Sequence, residues 1–299
     1  MGISVDAFVQ AFVADIQGAE GDTSRLVTTP SGLGPEGMVE AMFHPSVARA
    51  AIPMLADFMA PEGSIYYDSI FGGFHGQAAI RAWLVPAMAE ISFIEFVPTA
   101  EPVVIDDGLG GTWLDEWQMV MSLEDQRIPL SRGVSVRRWR DGWLNWACDV
   151  YDTGVFRQPP PAEVAVDGAA PPPELPPVPQ VDWATDTSVT PSTLTDPTRT
   201  AGPFHDTDSV YFHPTAGELR GRAAIEGWLG DNSVDNAVYE PLGPVVSNGA
   251  TFVQEWKRLS RGSDGAIVAL RGTSVRRRVN GLTTYAADYF DTAAPGVPG

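Results

Sequence analysis

The first apolar pattern in the chain is helical. Residues 5–16 (VDAFVQAFVADI) set Val5, Phe8, Phe12 and Ile16 one turn apart, the spacing of an amphipathic helix. A stretch rich in Gly, Thr and Pro runs to about Gly37, and a second helical pattern covers roughly 38–60, interrupted at Pro45 and Pro53. The period then changes from 3.6 to 2. Ser64–Ser69 reads as a strand, Gly76–Ala89 (GQAAIRAWLVPAMA) as a helix, and strands are predicted at 91–97, 101–106, 112–122, 130–140 and 143–151. Asp141-Gly142 and Asn280-Gly281 each separate two β-rich runs, the dipeptides that two-residue hairpin turns require.

The β-rich pattern occurs twice. SIYYDSIFGGFHGQAAIRAWL (64–84) returns as SVYFHPTAGELRGRAAIEGWL (209–229), and RGVSVRRWRDGWLNWACDVYDT (132–153) as RGTSVRRRVNGLTTYAADYFDT (271–292). The order is kept, so a whole unit is repeated. Between the copies, Gln158–Gln180 (QPPPAEVAVDGAAPPPELPPVPQ) is Pro-rich and aperiodic, the composition of an extended linker. The divisions expected are a first unit at 1–157, a linker at 158–181, a second unit at 182–294 and a tail at 295–299. Residues 182–208 show no amphipathic helix, so the second copy is expected to lack the two leading helices of the first.

Helices on one face of a curved, mostly antiparallel sheet make each unit α+β. The chain of 299 residues has a net charge of −19 and a pI near 4.4. Too few cations stand against phosphates for nucleic acid to be a partner, and anionic lipid surfaces repel such a chain. No apolar run is long enough to span a membrane. Cys148 is the only cysteine, which excludes an intrachain disulfide and a thiol-rich metal centre. The four His residues (44, 75, 205, 213) have no metal-ligand spacing, so neither metal nor cofactor is expected. The opening residues lack a basic n-region, and the cytoplasm is the expected compartment.

The strand followed by G-x-x-x-G-x-x-A-I-x-x-W-L, and the closing G-x-S-V-R-R…D/N-G…D-x-(Y/F)-D-T, resemble the SnoaL-like polyketide cyclases of the NTF2-like superfamily, a group that includes ketosteroid isomerases and limonene epoxide hydrolases. The resemblance covers 64–153 and 209–292 and implies two tandem cone-shaped domains, each with an apolar interior. It also implies a small apolar organic substrate of polyketide, terpenoid or steroid type. The reaction would be isomerisation, cyclisation or dehydration by general acid/base catalysis. Epoxide opening is the alternative, and a non-catalytic lipid or metabolite carrier is a further one. A homodimer or an intrachain pairing of the two domains is the expected assembly.

Alternation selects the candidate residues. Tyr66 and Asp68 share one face of the first strand, as do Tyr211 and His213 in the second copy; Asn145, Ala147, Asp149 and Tyr151 share a face of the last strand, matched by Thr284, Ala286, Asp288 and Phe290. Under the resemblance, Tyr66 and Asp68 fall where epoxide hydrolases hold the attacking water and where ketosteroid isomerases carry their proton-abstracting Asp. Asp149 and Asp288 match the acid of the terminal D-Y-F-D. The Arg-x-Asp of the epoxide hydrolases is replaced by Trp117-Gln-Met119 and Trp256-Lys-Arg258. Carboxylates in an apolar interior have raised pKa values, and two in one pocket split into an acid and a base. The catalytic set expected is therefore Tyr66, Asp68 and Asp149, with Tyr66 steadying a developing oxyanion. Tyr211, His213 and Asp288 form the second set, with Asp288 orienting His213. Trp83, Trp113, Trp117, Tyr151, Trp228 and Trp256 are the expected ring-lined walls for the substrate. Arg137-Arg138 and Arg276-Arg277 are expected as solvated ion pairs, Asp152 as a local capping residue, and Glu116 and Glu255, kept in both copies, receive no role.

Overall fold

The computed structural model describes residues 55–154 and 203–293, apart from 57, 91–93, 101, 107–109, 124–125, 141–142, 232–237, 244 and 262–266. The helix expected at 5–16, most of the one expected at 38–60, the linker and the stretch 182–202 lie outside the described residues. The first unit runs β1 (Ile65–Asp68), β2 (Gly72–His75), α1 (Gln77–Glu90), β3 (Ile94–Pro98), β4 (Val103–Asp106), β5 (Gly110–Leu123), β6 (Gln126–Arg140), β7 (Trp143–Tyr151). The second repeats it as β8 (Val210–His213), β9 (Gly217–Arg220), α2 (Arg222–Asp231), β10 (Val238–Pro241), β11 (Val246–Ser247), β12 (Thr251–Arg261), β13 (Ile267–Val279), β14 (Leu282–Phe290).

Each unit is one mixed seven-stranded sheet carrying a helix, the α+β class expected. The order is β2-β1-β7-β6-β5-β3 with β4 also on β5, and β10-β12-β13-β14-β8-β9 with β11 also on β12. The first strand of each unit runs parallel to the last, and its neighbours elsewhere are antiparallel. Asn280 (φ 52°) and Gly281 (φ 80°) both adopt the left-handed conformation that the tight β13–β14 turn demands. One face expectation changes. Arg138 pairs Trp146 and Trp139 pairs Leu144, so Asn145 is an extra, bulged residue, and Thr284 is its counterpart between Tyr285 and Thr283. Neither therefore shares the face of Asp149 or Asp288. The amide of Asn145 instead donates to the carbonyls of Arg140 (3.1 Å) and Trp143 (3.2 Å).

The repeated RG-x-SVRR motif follows from strand alternation, with one side chain to each face in turn. On the helix-bearing face, Gly133 and Gly272 lie beneath tryptophans: a Cβ at Gly133 would stand 2.3 Å from the Trp117 ring, and one at Gly272 2.2 Å from Trp256. No larger residue fits there without displacing an indole. Ser135 and Arg137 share that face, while Val134, Val136 and Arg138 take the other.

That other face is where the two sheets meet. Leu114, Val134, Val136, Cys148 and Val150 of the first unit form one buried cluster with Val246, Val253, Val275, Ala287 and Tyr289 of the second. Two glutamates are buried within this interface, and each is neutralised mostly from the opposite unit. Glu116 accepts from Arg277, from Tyr285 (2.6 Å) and from Tyr289 (2.6 Å). Glu255 accepts from Arg138, from Trp146 (3.1 Å) and from Arg271 of its own unit (3.0 Å). The exchange is reciprocal at the strand ends as well. Asp291 accepts from the backbone N–H and hydroxyl of Thr153, and Asp152 from those of Thr292. Arg271 lies over the Tyr67 ring (4.6 Å), and Arg132 over Phe212 (4.3 Å). The contact thus has pseudo-twofold symmetry within one chain. It gives Glu116 and Glu255 the roles that strand patterning left open, adds a contact across the units to the local capping of Gly154 N–H by Asp152 (2.9 Å), and corrects the solvated reading of Arg138 and Arg277.

Burial makes the glutamate cluster sensitive to truncation. Glu255→Ala strands the cations of Arg138 and Arg271 in an apolar interface, and it should reduce unfolding free energy by about 3–5 kcal/mol in urea denaturation.

Candidate functional site

On the helix-bearing face of the first unit, strand register sets side chains in rows. The central row crosses four strands: Asp115 on β5 faces Ser135 on β6, Ser135 faces Asp149 on β7, and Asp149 faces Asp68 on β1. One row away lie Trp113, Arg137, Ala147 and Tyr66; on the other side lie Trp117, Gly133 and Tyr151. Three carboxyl groups and one guanidinium thus occupy a small apolar surface. Trp83 of α1 covers it, with ring contacts to Tyr66 (5.1 Å) and Phe74 (4.3 Å).

The carboxyl groups differ in their partners. Asp149 is saturated. Its Oδ1 accepts from Arg137 (2.7 Å) and Ser135 (2.6 Å), its Oδ2 accepts from the Tyr66 hydroxyl, and Ser135 accepts in turn from the Trp117 indole N–H (2.9 Å). Arg137 also donates to the Cys148 carbonyl (3.0 Å), which fixes its plane. It is 5% exposed, so the solvated pair expected of it is in fact a buried clamp. Tyr66 spends its proton on Asp149, so it does not present that proton to a substrate oxygen.

Asp68 is held more lightly. The backbone N–H groups of Ile70 (2.8 Å) and Phe71 (3.1 Å) and the Tyr151 hydroxyl (3.1 Å) reach its Oδ1. Its pKa is raised from 3.8 to about 7, first by burial and then by the neighbouring Asp149 carboxylate, with the two N–H bonds and the Tyr151 hydroxyl opposing the rise. Tyr151, placed as a wall residue by sequence, is therefore a donor to Asp68. Asp115 is 4% exposed with Oδ1 unpartnered among the described residues. Burial holds its pKa well above the usual carboxylate range despite the nearby Arg137. Asp115 alternates with Trp113 and Trp117 along β5, which puts all three on this face. Ser135 was passed over and Arg137 was read only as a solvated ion pair; their alternation with Val134 and Val136 was the available signal.

The second unit keeps the clamp and loses the acids. Asp288 accepts from Arg276 (2.8 Å), Ser274 (2.5 Å) and Tyr211 (2.5 Å), Ser274 accepts from Trp256 (2.9 Å), and these bonds hold the Asp288 pKa below its ordinary value against the cost of burial. Gln254 stands where the first unit has Asp115, and His213 where it has Asp68. No hydrogen bond joins His213 to Asp288, contrary to the pairing expected. The Nδ1 of His213 faces the Thr215 hydroxyl (2.9 Å), and its ring lies 4.4 Å from Trp228 and 5.0 Å from Phe290. Burial, reinforced by Arg258 and Arg276 and opposed by Asp288, lowers its pKa to about 4, so it is neutral at pH 7. Among the described residues no cluster of His, Cys, Asp and Glu has the arrangement to hold a metal, and no helix is long and apolar enough to cross a membrane.

No family model and no curated protein matches the chain. Similar solved structures include an NTF2-like protein of unknown function from Cytophaga hutchinsonii (18% identity, TM-score 0.25, 29% of this chain and 78% of that one). They also include TerC co-crystallised with polyporic acid (18%, 0.30, 42% and 96%) and a protein of Shewanella denitrificans assigned to the SnoaL-like polyketide cyclases (16%, 0.30, 42% and 96%).

The Asp68 shift has a stability signature. Its folded pKa of about 7 exceeds its ordinary 3.8, so its contribution favours the folded state below about pH 4 and is lost as pH rises through 7. Asp68→Asn does not titrate. It should match wild type near pH 4 and exceed it at pH 8 by roughly 2–4 kcal/mol, read from denaturation midpoints at the two pH values.

Proposed function

We propose that the first unit is a cofactor-independent enzyme that moves a proton on an apolar small molecule of polyketide, terpenoid or steroid type, in an isomerisation or cyclisation. The observation that carries this reading is the pair Asp68 and Asp149, opposite one another on β1 and β7 with different surroundings. Asp149 is held in place by Arg137, Ser135 and Tyr66. Asp68, poised near 7, is divided between its two protonation states at neutral pH. A group so poised takes a proton from a carbon next to a carbonyl and returns it to another carbon. The clamp on Asp149 keeps a negative charge beside Asp68, and Tyr151 orients the Asp68 carboxyl. The rings of Trp83, Trp117 and Tyr151 supply apolar contact.

Asp115 supports a second reading, epoxide opening. A carboxyl group that burial biases toward its protonated form (Asp115), a guanidinium (Arg137) and a carboxylate (Asp149) stand on three successive strands, although no Arg-x-Asp occurs on one. Asp115 would protonate the ring oxygen while water attacks the carbon, and the Asp149 carboxylate would take the proton that the water loses. Three strand spacings, about 14 Å on a flat sheet, separate Asp68 from Asp115, so the two acids serve different ends of a ligand.

Deuterium exchange separates these readings from a carrier. In D2O, with a panel of polycyclic ketones followed by mass spectrometry, wild type should speed label entry next to the carbonyl, with a rate limb near pH 7. Asp68→Asn should lower that rate by about 10²–10⁴-fold. Exchange unchanged in Asp68→Asn would sink the role of Asp68, and bound but unlabelled ketone would identify a carrier. Epoxide hydrolysis lost in Asp115→Asn would favour the second reading.

A further inference from the structure

The second unit carries a cation that the first does not. Arg258 on β12 shares a face with Gln254 and Trp256 by alternation, at the position of Met119 in the first unit. It is 5% exposed, its Nε is buried without a partner, and no carboxylate or carbonyl reaches its guanidinium among the described residues. The neighbouring charges do not compensate it. Arg276 is matched by Asp288, whose two oxygens are filled by Arg276, Ser274 and Tyr211. Lys257, on the opposite face, is matched by Glu240 (3.0 Å). His213 is neutral at pH 7. A buried guanidinium with no partner among the described residues is costly to keep, and an incoming anion removes that cost.

Rings adjoin the cation. Tyr239 lies 5.3 Å from Trp256, Trp256 lies 6.1 Å from Phe290, Phe290 lies 5.0 Å from His213, and His213 lies 4.4 Å from Trp228. We infer that the second unit binds a small aromatic or polycyclic monoanion, with its carboxylate or enolate on Arg258 and its apolar body against Tyr239, Trp256, Phe290 and Trp228. The unit is a binding site and not a second copy of the proton-transfer site. It has no counterpart of the Asp68 or Asp115 carboxyls, and Asp288 is spent on its clamp. The inference stands apart from the chemistry proposed for the first unit, because it uses none of the same residues.

The test uses the full chain and a matched pair of probes, 2-naphthoate and the neutral 2-naphthalenemethanol, titrated by calorimetry at pH 7. Naphthoate should bind at least tenfold tighter than the alcohol. Arg258→Met, which installs the residue of the first unit, should abolish that preference while leaving alcohol binding and the thermal midpoint unchanged or raised. Arg258→Lys should keep part of the preference, and Asp68→Asn should leave it intact. A preference that survives in Arg258→Met, or wild type that binds neither probe at millimolar concentration, would overturn the inference. A loss of preference in Asp68→Asn with Arg258→Met unaffected would move the anion site to the first unit and overturn it equally.

Discussion

Two consecutive arginines on one strand cannot share a partner. Strand geometry sends Arg137 to one face of its sheet and Arg138 to the other, and both faces of this sheet are covered, so each guanidinium needs its own carboxylate. Asp149 meets the first from the next strand, and Glu255 meets the second from the other half of the chain. Arg276 and Arg277 repeat the division onto Asp288 and Glu116. Much of the structure follows from that requirement: a polar cluster under the helix, a polar cluster between the sheets, and a hairpin (β6–β7 or β13–β14) common to both.

The shared hairpin links assembly to the site. Cys148 and Val150 are sealed in the interface while Asp149, between them, faces the helix side. A strand whose alternate residues are packed against a second sheet has little freedom to shift. The Asp149 clamp is therefore positioned by the interface as well as by its own hydrogen bonds. The Asp149 carboxylate, held in place, in turn helps to set the environment in which Asp68 titrates.

Local patterning was enough for most of the architecture. The dipeptide Asn280-Gly281 marked its turn, the helix at Gln77–Glu90 was legible to within a residue at each end, and alternation put Tyr66, Asp68 and Asp149 on one face. The strand β2 escaped notice because GGFH opens with Gly72, a residue with φ of 79°, and resembles a loop. Bulges at Asn145 and Thr284 broke the count of alternation near the turns. The fate of the arginines, and of Glu116 and Glu255, was hidden for a different reason. Their partners lie on other strands or in the other half of the chain, and no spacing within one strand encodes a contact across more than a hundred residues.

The reciprocal glutamate contacts have a consequence for how such a protein changes over generations. In a homodimer of identical subunits, every substitution appears in both protomers, so a new charge in one site is a new charge in both. Two copies in a single chain are free of that coupling: the interface keeps its near symmetry, while His213 and Arg258 differ from Asp68 and Met119 without altering the first unit. One gene thereby holds a symmetric scaffold and an asymmetric pair of interiors, a division of labour that identical subunits cannot reach by point mutation.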